Sequence, residues 1–289
     1  MNNRVKQDPE QYEPTLSMQE LAAKTISLSS KKANTVSWQI FLLGILAGLY
    51  ISMGAYGYLV TLSLGLNKLT ASVVFCSGLI MVVIAGAELF TGNVIMVTGT
   101  ITGHYSPFKL FKNWIVVYIA NLAASLLAAW LVVKSGAVYS FGGPSEVGQV
   151  ALQVARDKLL LDFSQYVVLG FFCNMLVILA IVMATMAKDV ISKIICIIFP
   201  ISLFVLCGFE HSVANMFLIP LGMLIDGAAP MELLQAFRNI LPVTLGNILG
   251  GIFILSIHPS RIRQVGDLIA RHKNNAATKE RTAAAHAFT

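Results

Sequence analysis

Two glutamates interrupt sequence that is otherwise suited to the interior of a lipid bilayer. Residues 86–93 read GAELFTGN and residues 208–215 read GFEHSVAN, so the pattern G-x-E-x-x-x-x-N occurs twice, 122 residues apart. A charged group at bilayer depth costs about 2.5–3.5 kcal/mol on insertion scales, so it marks a pathway or a broken helix rather than lipid contact. Interrupted apolar segments at matching positions in two halves of a chain point to a transport site. The second copy carries His211 directly after Glu210, and the first carries Thr91 at a nearby position. An imidazole facing a hydroxyl would make a polar waist in an apolar tube, able to donate hydrogen bonds or to exchange a proton.

The other residues of the two words have plainer roles open to them. Glu88 and Glu210 can satisfy exposed N–H groups of a half-helix and suit the positive end of its dipole, a structural role that outweighs direct contact with a solute. Asn93 and Asn215 can tie the broken backbone in the same way. Leu89, Phe90 and Phe204 are candidates for hydrophobic constrictions that exclude water, although spacing alone fits ordinary packing better. His211 could equally be a satisfied core histidine, but its place at a helix interruption favours a functional role. Pro200 and Pro220 flank the second break, and Pro242 suits the first turn of a last helix.

The elements that must position these groups follow from composition. The chain is 56% hydrophobic and 12% charged, against about 25% charged in an ordinary soluble domain. Uncharged apolar runs predict six spans, near 38–60, 70–102, 112–133, 164–187, 191–226 and 239–258. The second and fifth contain Glu88 and Glu210, and each reads as two half-helices around a non-helical break, which is tolerated at depth only against protein or a wet cavity. A wider repeat is suggested by Gly48 and Gly170, also 122 residues apart, and by Asn121 and Asn247 in the small-residue-rich third helix of each half. Three spans per half make the second copy enter the bilayer in the opposite sense, so the expected class is an all-α membrane protein built as two inverted three-helix repeats.

Charge sets the expected orientation. Fifteen Lys and Arg residues fall on the side of the termini and five on the other, which places both termini in the cytoplasm. The net charge of +6 is then mostly an orientation signal, and nucleic-acid binding is a poor explanation of it. Residues 1–37 read as a cytoplasmic segment without a signal peptide, 38–258 as the channel domain and 259–289 as a cytoplasmic tail whose end looks disordered. Within the first segment, residues 16–30 suit either an amphipathic helix at the inner surface or a cap on the cytoplasmic mouth. The four cysteines lie in apolar spans without C-x-x-C spacing and read as buried small hydrophobes. No metal or cofactor is expected.

At residues 208–216 (GFEHSVANM), continued by Phe217-Leu218-Ile219-Pro220, the chain resembles the formate/nitrite transporter family. Glu88-Leu89-Phe90-Thr91-Gly92-Asn93 resembles that family's other broken-helix loop, and residues 241–247 (LPVTLGN) its last-helix motif. The similarity runs from about residue 38 to 258. It implies an aquaporin-like fold, a homopentamer with one pore per protomer, and passage of small monovalent anions: formate, nitrite or hydrosulfide, with acetate and lactate in some members. By motif, His211 resembles the central pore histidine, Thr91 its partner, Asn174 and Asn215 the supporting asparagines, and Lys158 the lysine of the anion route. The family often has Asp at the position of Glu88 and Ser at that of Gly92. Without the resemblance, Lys158 would be a solvated loop lysine beside Asp157 and Asp162.

Physical chemistry narrows the function. Taking an anion out of water costs several kcal/mol even after relaxation, which leucine and phenylalanine cannot offset. Either fixed donors replace its hydration shell, or a weak acid accepts a proton and crosses neutral. Formic, nitrous and hydrosulfuric acids are all weak. A water or glycerol channel would carry paired Asn-Pro-Ala loops, which are absent from the sequence. An intramembrane enzyme would need a nucleophile or metal cluster, and no H-E-x-x-H occurs. The expected function is a channel or transporter of the cell inner membrane for small monovalent anions, formate first and nitrite, hydrosulfide, acetate or lactate as the alternative, with the bilayer and small anions as its partners.

Overall fold

The computed structural model describes residue 13, residues 15–229 and residues 232–258. Helix α1 (Met18–Asn34) is closed at its start by a capping box in which Ser17 and Glu20 exchange side-chain and backbone bonds. Next come α2 (Ser37–Ser63) and α3 (Lys68–Ala85), then a 3₁₀ turn (Gly92–Met96), the short α4 (Val97–Ile101) and α5 (Pro107–Lys134). A two-residue hairpin, β1 (Tyr139–Ser140) with β2 (Gly143–Pro144), leads into α6 (Glu146–Asp157). The rest is α7 (Phe163–Met186), α8 (Val190–Leu206), α9 (Ser212–Ile225), a 3₁₀ turn (Glu232–Ala236) and α10 (Phe237–Ile257). Among the described residues, α2, α3, α5, α7 and the segment Glu232–Ile257 are long and apolar enough to cross a membrane, and α8 is a shorter apolar helix.

Polar residues at the chain's turns start the helices. Asn67, Asp162 and Asp189 accept the first free N–H groups of α3, α7 and α8. The Ser164 hydroxyl and then the Gln165 N–H hold the Asp162 carboxyl below the usual carboxylate range. Glycines allow close pairing of helices. A Cβ on Gly44 would come within 2.6 Å of Ala120 Cβ, and one on Gly170 within 2.7 Å of the Val243 carbonyl, so α2 lies tight on α5 and α7 on α10.

The two expected interruptions lie at the glycines that open each repeated word. Gly86 (φ +81°) and Gly208 (φ +74°) adopt the left-handed conformation at the ends of α3 and α8. In each case the next N–H reaches back to close the helix, from Ala87 to the Val82 carbonyl at 2.9 Å and from Phe209 to the Phe204 carbonyl at 3.0 Å. Several local readings are corrected. Pro200 and Pro220 stand on either side of the second break as expected, but inside α8 and α9, and Pro242 lies inside α10 beyond its first turn because that helix begins at Phe237. Cys76 and Cys173 are buried, but Cys196 is only partly buried and Cys207 is exposed at the end of α8. Helix α6 buries Gly148, Ala151 and Ala155 on one face and lacks the continuous apolar run that marks a span. The tail from residue 259 and residues 1–12 lie outside the described residues.

Helix α1 packs across one end of the bundle. Leu21, Thr25 and Ser29 are buried, and the Leu16 N–H donates to the Met186 carbonyl. Asn34 accepts from Lys109 at 2.5 Å. This helix covers a cavity, whose walls include Leu28, Lys31 and Lys32.

Candidate functional site

Each break is held by an asparagine of the third long helix in its half. Asn121 on α5 donates to the carbonyls of Gly44 (2.8 Å) and Glu88 (3.1 Å) and accepts the Phe90 N–H (2.9 Å). Asn247 on α10 donates to the carbonyls of Gly170 (2.8 Å) and Glu210 (2.9 Å) and accepts the Ser212 N–H (2.9 Å). The N–H groups of the glutamates themselves go to matching carbonyls, Leu43 for Glu88 and Leu169 for Glu210. These partners lie 126 residues apart, so Gly170 corresponds to Gly44 rather than to Gly48; the 122-residue offset holds from the caps of α3 and α8, Asn67 and Asp189, through the breaks. The first half has four more residues from the glycine on its first long helix to its break glutamate, Gly44 to Glu88 against Gly170 to Glu210.

The glutamates do not satisfy backbone N–H groups as expected. Glu88 accepts from Lys32 Nζ at 2.7 Å and from Asn93 Nδ2 at 2.6 Å, and Asn93 Nδ2 also reaches Asn113. Glu210 accepts from Lys158 Nζ at 2.7 Å and from Asn215 Nδ2 at 2.5 Å, and Asn215 Nδ2 also reaches Asn239. Both carboxylates are nearly buried, and a buried carboxylate is tolerable with a cation and further hydrogen bonds around it. Lys32 was missed in the sequence because it lies in a polar segment remote from the break it neutralises. Lys158 caps the end of α6 instead of standing solvated in a loop. Its carbonyl accepts from Tyr166 and Asn239, which fixes the backbone from which the ammonium extends.

Between the two ion pairs, Thr91 Oγ1 lies 2.8 Å from His211 Nε2, and both residues are buried. His211 is also the N-cap of α9: its Nδ1 accepts the Ala214 N–H at 3.1 Å. A backbone N–H can only donate, so Nδ1 carries no hydrogen and the neutral imidazole has its proton on Nε2. The Nε2–H then donates to Thr91, whose own hydroxyl hydrogen is left to turn elsewhere. Asn174 steadies this loop by donating to the Thr91 carbonyl at 3.2 Å and to the Asn247 carbonyl at 2.7 Å. Asn174 Oδ1, Ser212 Oγ and Asn215 Oδ1 are buried without a hydrogen-bond partner among the described residues.

One cavity reaches His211, and a second lies against Leu89 and Gly92 on either side of Thr91 in the chain. The first, of about 180 Å³, is lined by His211, Phe204, Phe75, Asn215 and Lys158, with the Phe204 ring stacked 5.9 Å from the imidazole. The other, of about 640 Å³ beneath α1, is lined by Leu89, Gly92, Glu88, Asn93 and Lys32. Leu89 and Phe204 therefore line opposite cavities. Phe90 lines neither; its ring sits edge-on to Tyr118 (4.8 Å) and Trp114 (5.9 Å), packed against α5. A Cβ on Gly92 would come within 2.8 Å of Ile181 Cδ1, so an isoleucine methyl covers the face that a side chain would occupy. Among the described residues no cluster of three His, Cys, Asp or Glu could hold a metal.

The family described as "Formate/nitrite transporter" matches residues 19–259. The formate channel FocA of Haemophilus influenzae is 34% identical over 249 residues, 78% of this chain and 87% of that protein. A probable formate transporter of Methanothermobacter thermautotrophicus is 37% identical over 244 residues, 76% and 87% of the two chains. Among solved structures, a pentameric formate channel with formate bound superposes with a TM-score of 0.64 at 31% identity, covering 76% of this chain and 95% of that one. An FNT family ion channel gives 0.72 at 28% identity, covering 81% and 94%.

Proposed function

The chain belongs to the formate/nitrite transporter family, and from that premise we propose that it is a membrane channel for small monovalent anions, formate first among them. The observation that carries the proposal is the Thr91–His211 hydrogen bond of 2.8 Å between two otherwise largely apolar cavities. An anion leaving one cavity for the other has to replace its water there. The Thr91 hydroxyl hydrogen is the first donor it meets, and the Nε2–H of His211 becomes a second when the pair opens. A weak acid has the further option of accepting a proton at this point and crossing neutral. Neutral His211 has a single N–H, and giving it up would leave imidazolate, so a proton passed to the anion at Nε2 has to be matched by one gained at Nδ1 as the Ala214 N–H lets go.

Lys158 and Asn215 serve the route from the side cavity. An ammonium has three hydrogens; one of Lys158's goes to Glu210, which leaves others for an arriving anion. Phe204 and Leu89 narrow the passage on either side of the waist, and Asn174, Glu88, Glu210 and Asn93 hold its walls. Phe90 acts as a packing residue behind the first loop.

The broader architecture belongs to the same proposal: six spans in two inverted halves, a homopentamer with one pore per protomer, and an inner-membrane location with both termini cytoplasmic. The small-residue faces of α5 and α10 do not supply the pentamer contact, because Ala120 and Ala124 meet Gly44 and Gly48 of α2, and Gly246 and Gly250 meet α7. Uptake of formate, nitrite, hydrosulfide, acetate and lactate into proteoliposomes at matched gradients tests the function. Formate should be fastest, nitrite and hydrosulfide slower, and native mass measurement should give five protomers. No flux above empty liposomes for any of the five would reject the proposal.

A further inference from the structure

We infer that the two mouths of the pore are electrically unequal, and that Lys31 makes the cavity beneath α1 the stronger docking site for the permeant anion. The inference rests on the anion-channel reading above. The charged residues lining the α1-side cavity are Lys31, Lys32 and Glu88. Lys32 is paired with Glu88 at 2.7 Å. Lys31 is exposed and has no ion-pair partner among the described residues. On the opposite side the cavity is lined by Lys68, Lys158 and Asp157, and Lys158 is paired with Glu210 at 2.7 Å. Two cations thus stand against one anion at the first mouth and against two at the second.

Shape reinforces the difference. The α1-side cavity has about 640 Å³ against about 180 Å³, room for an anion that keeps part of its hydration. Its other walls include Trp38, Leu42, Leu89 and Ile181, and walls of low dielectric focus the field of the single uncompensated charge. The C-terminal carbonyls of α1 carry a partial negative charge of about one half and soften the field of Lys31 without cancelling it. One uncompensated charge about 8 Å away in a water-like medium raises the local anion concentration about 2–3-fold.

A passive pore restricts how this can appear. The ratio of maximal flux to half-saturating concentration must be the same from both sides, or the pore would pump without an energy source. Lys31 therefore does not bias flow at low concentration. It lowers the half-saturating concentration for anion presented on the α1 side, and lowers the maximal flux from that side by the same factor.

The test is formate saturation in membrane vesicles of each orientation, with nitrite as a second probe, at low ionic strength. The half-saturating concentration should be about 2–3-fold lower with formate on the α1 side. Lys31→Gln should abolish the difference by raising that value, and Asp157→Asn should abolish it by lowering the opposite one. About 0.5 M of an impermeant salt should remove it in the wild type, because the screening length then falls well below 10 Å. Equal values in the wild type at low salt, or a difference that survives Lys31→Gln, would overturn the inference while leaving the channel reading intact. Absence of formate and nitrite flux in the wild type would instead overturn the channel reading, and the inference with it.

Discussion

Asn247 makes the same three hydrogen bonds in the second half of the chain that Asn121 makes in the first. Each donates to a glycine carbonyl on the adjacent helix and to the carbonyl of the break glutamate, and each accepts the N–H two residues after that glutamate. A broken helix leaves donors and acceptors with no partner in their own segment. One amide side chain, carrying both kinds of group, satisfies both strands of the break at once. That explains how backbone of this kind can persist at depth without water.

Asn247→Ala should therefore be among the most destabilising single changes. It strands the Ser212 N–H and the Glu210 carbonyl, at about 1–3 kcal/mol for each buried group left unpaired, while the Gly170 carbonyl loses a second bond but lies within α7. Asn113→Ala removes only the bond from Asn93, since Asn113 Nδ2 has no partner among the described residues. Thermal melting of the detergent-solubilised protein should rank wild type above Asn113→Ala and that above Asn247→Ala. An Asn247→Ala protein as stable as wild type would refute this account of the breaks.

Much of this site was legible in the sequence because lipid makes polar residues conspicuous. Glu88, Glu210 and His211 stood out against apolar runs, and the repeated word placed the two breaks. What escaped was whatever depended on distant pairing. Lys32 and Lys158 lie in polar segments where a lysine carries no signal, and only the packing of α1 and α6 brings them to the glutamates. The direction of Phe90 was equally hidden, since one residue of loop geometry decides whether a ring faces the cavity or α5. The register of the repeat misled because equal spacing at the breaks concealed a four-residue difference outside them.

The Lys158–Glu210 pair predicts a rescue. Removing one partner of a buried ion pair costs about 3–5 kcal/mol, because the other charge is left uncompensated. Lys158→Ala should accumulate poorly, whereas Lys158→Met combined with Glu210→Gln should recover most of the stability and assembly. Flux in the double variant should remain below wild type, since the ammonium donors are gone from the cavity. Normal accumulation of Lys158→Ala would mean that the pair is not needed to hold the break.

Thr91→Val keeps the shape of the side chain and removes its hydroxyl. The loop should hold, because Asn174 bonds the Thr91 carbonyl rather than its side chain. Losing one donor to a desolvated anion, worth about 1–1.5 kcal/mol, should slow formate flux roughly tenfold. Unchanged flux in an assembled Thr91→Val channel would remove the hydroxyl from the permeation route.

His211→Asn separates the two duties of the histidine. Asparagine is a good N-cap, so its side-chain oxygen can take over the Ala214 N–H and its amide can face Thr91. Assembly and melting temperature should stay near wild type. The titratable group, however, is gone. If Nε2 passes a proton to the crossing anion while Nδ1 gains one, the variant should conduct with a changed dependence of flux on pH and a shifted preference between the anion and its neutral acid. His211→Ala loses the cap as well, and should fall by about 1 kcal/mol or more in stability, which distinguishes lost folding from lost chemistry. The measurement is formate flux across a pH series in proteoliposomes of equal channel content. A wild-type pH profile and wild-type selectivity in well-assembled His211→Asn would leave the imidazole as the cap of α9 and nothing more.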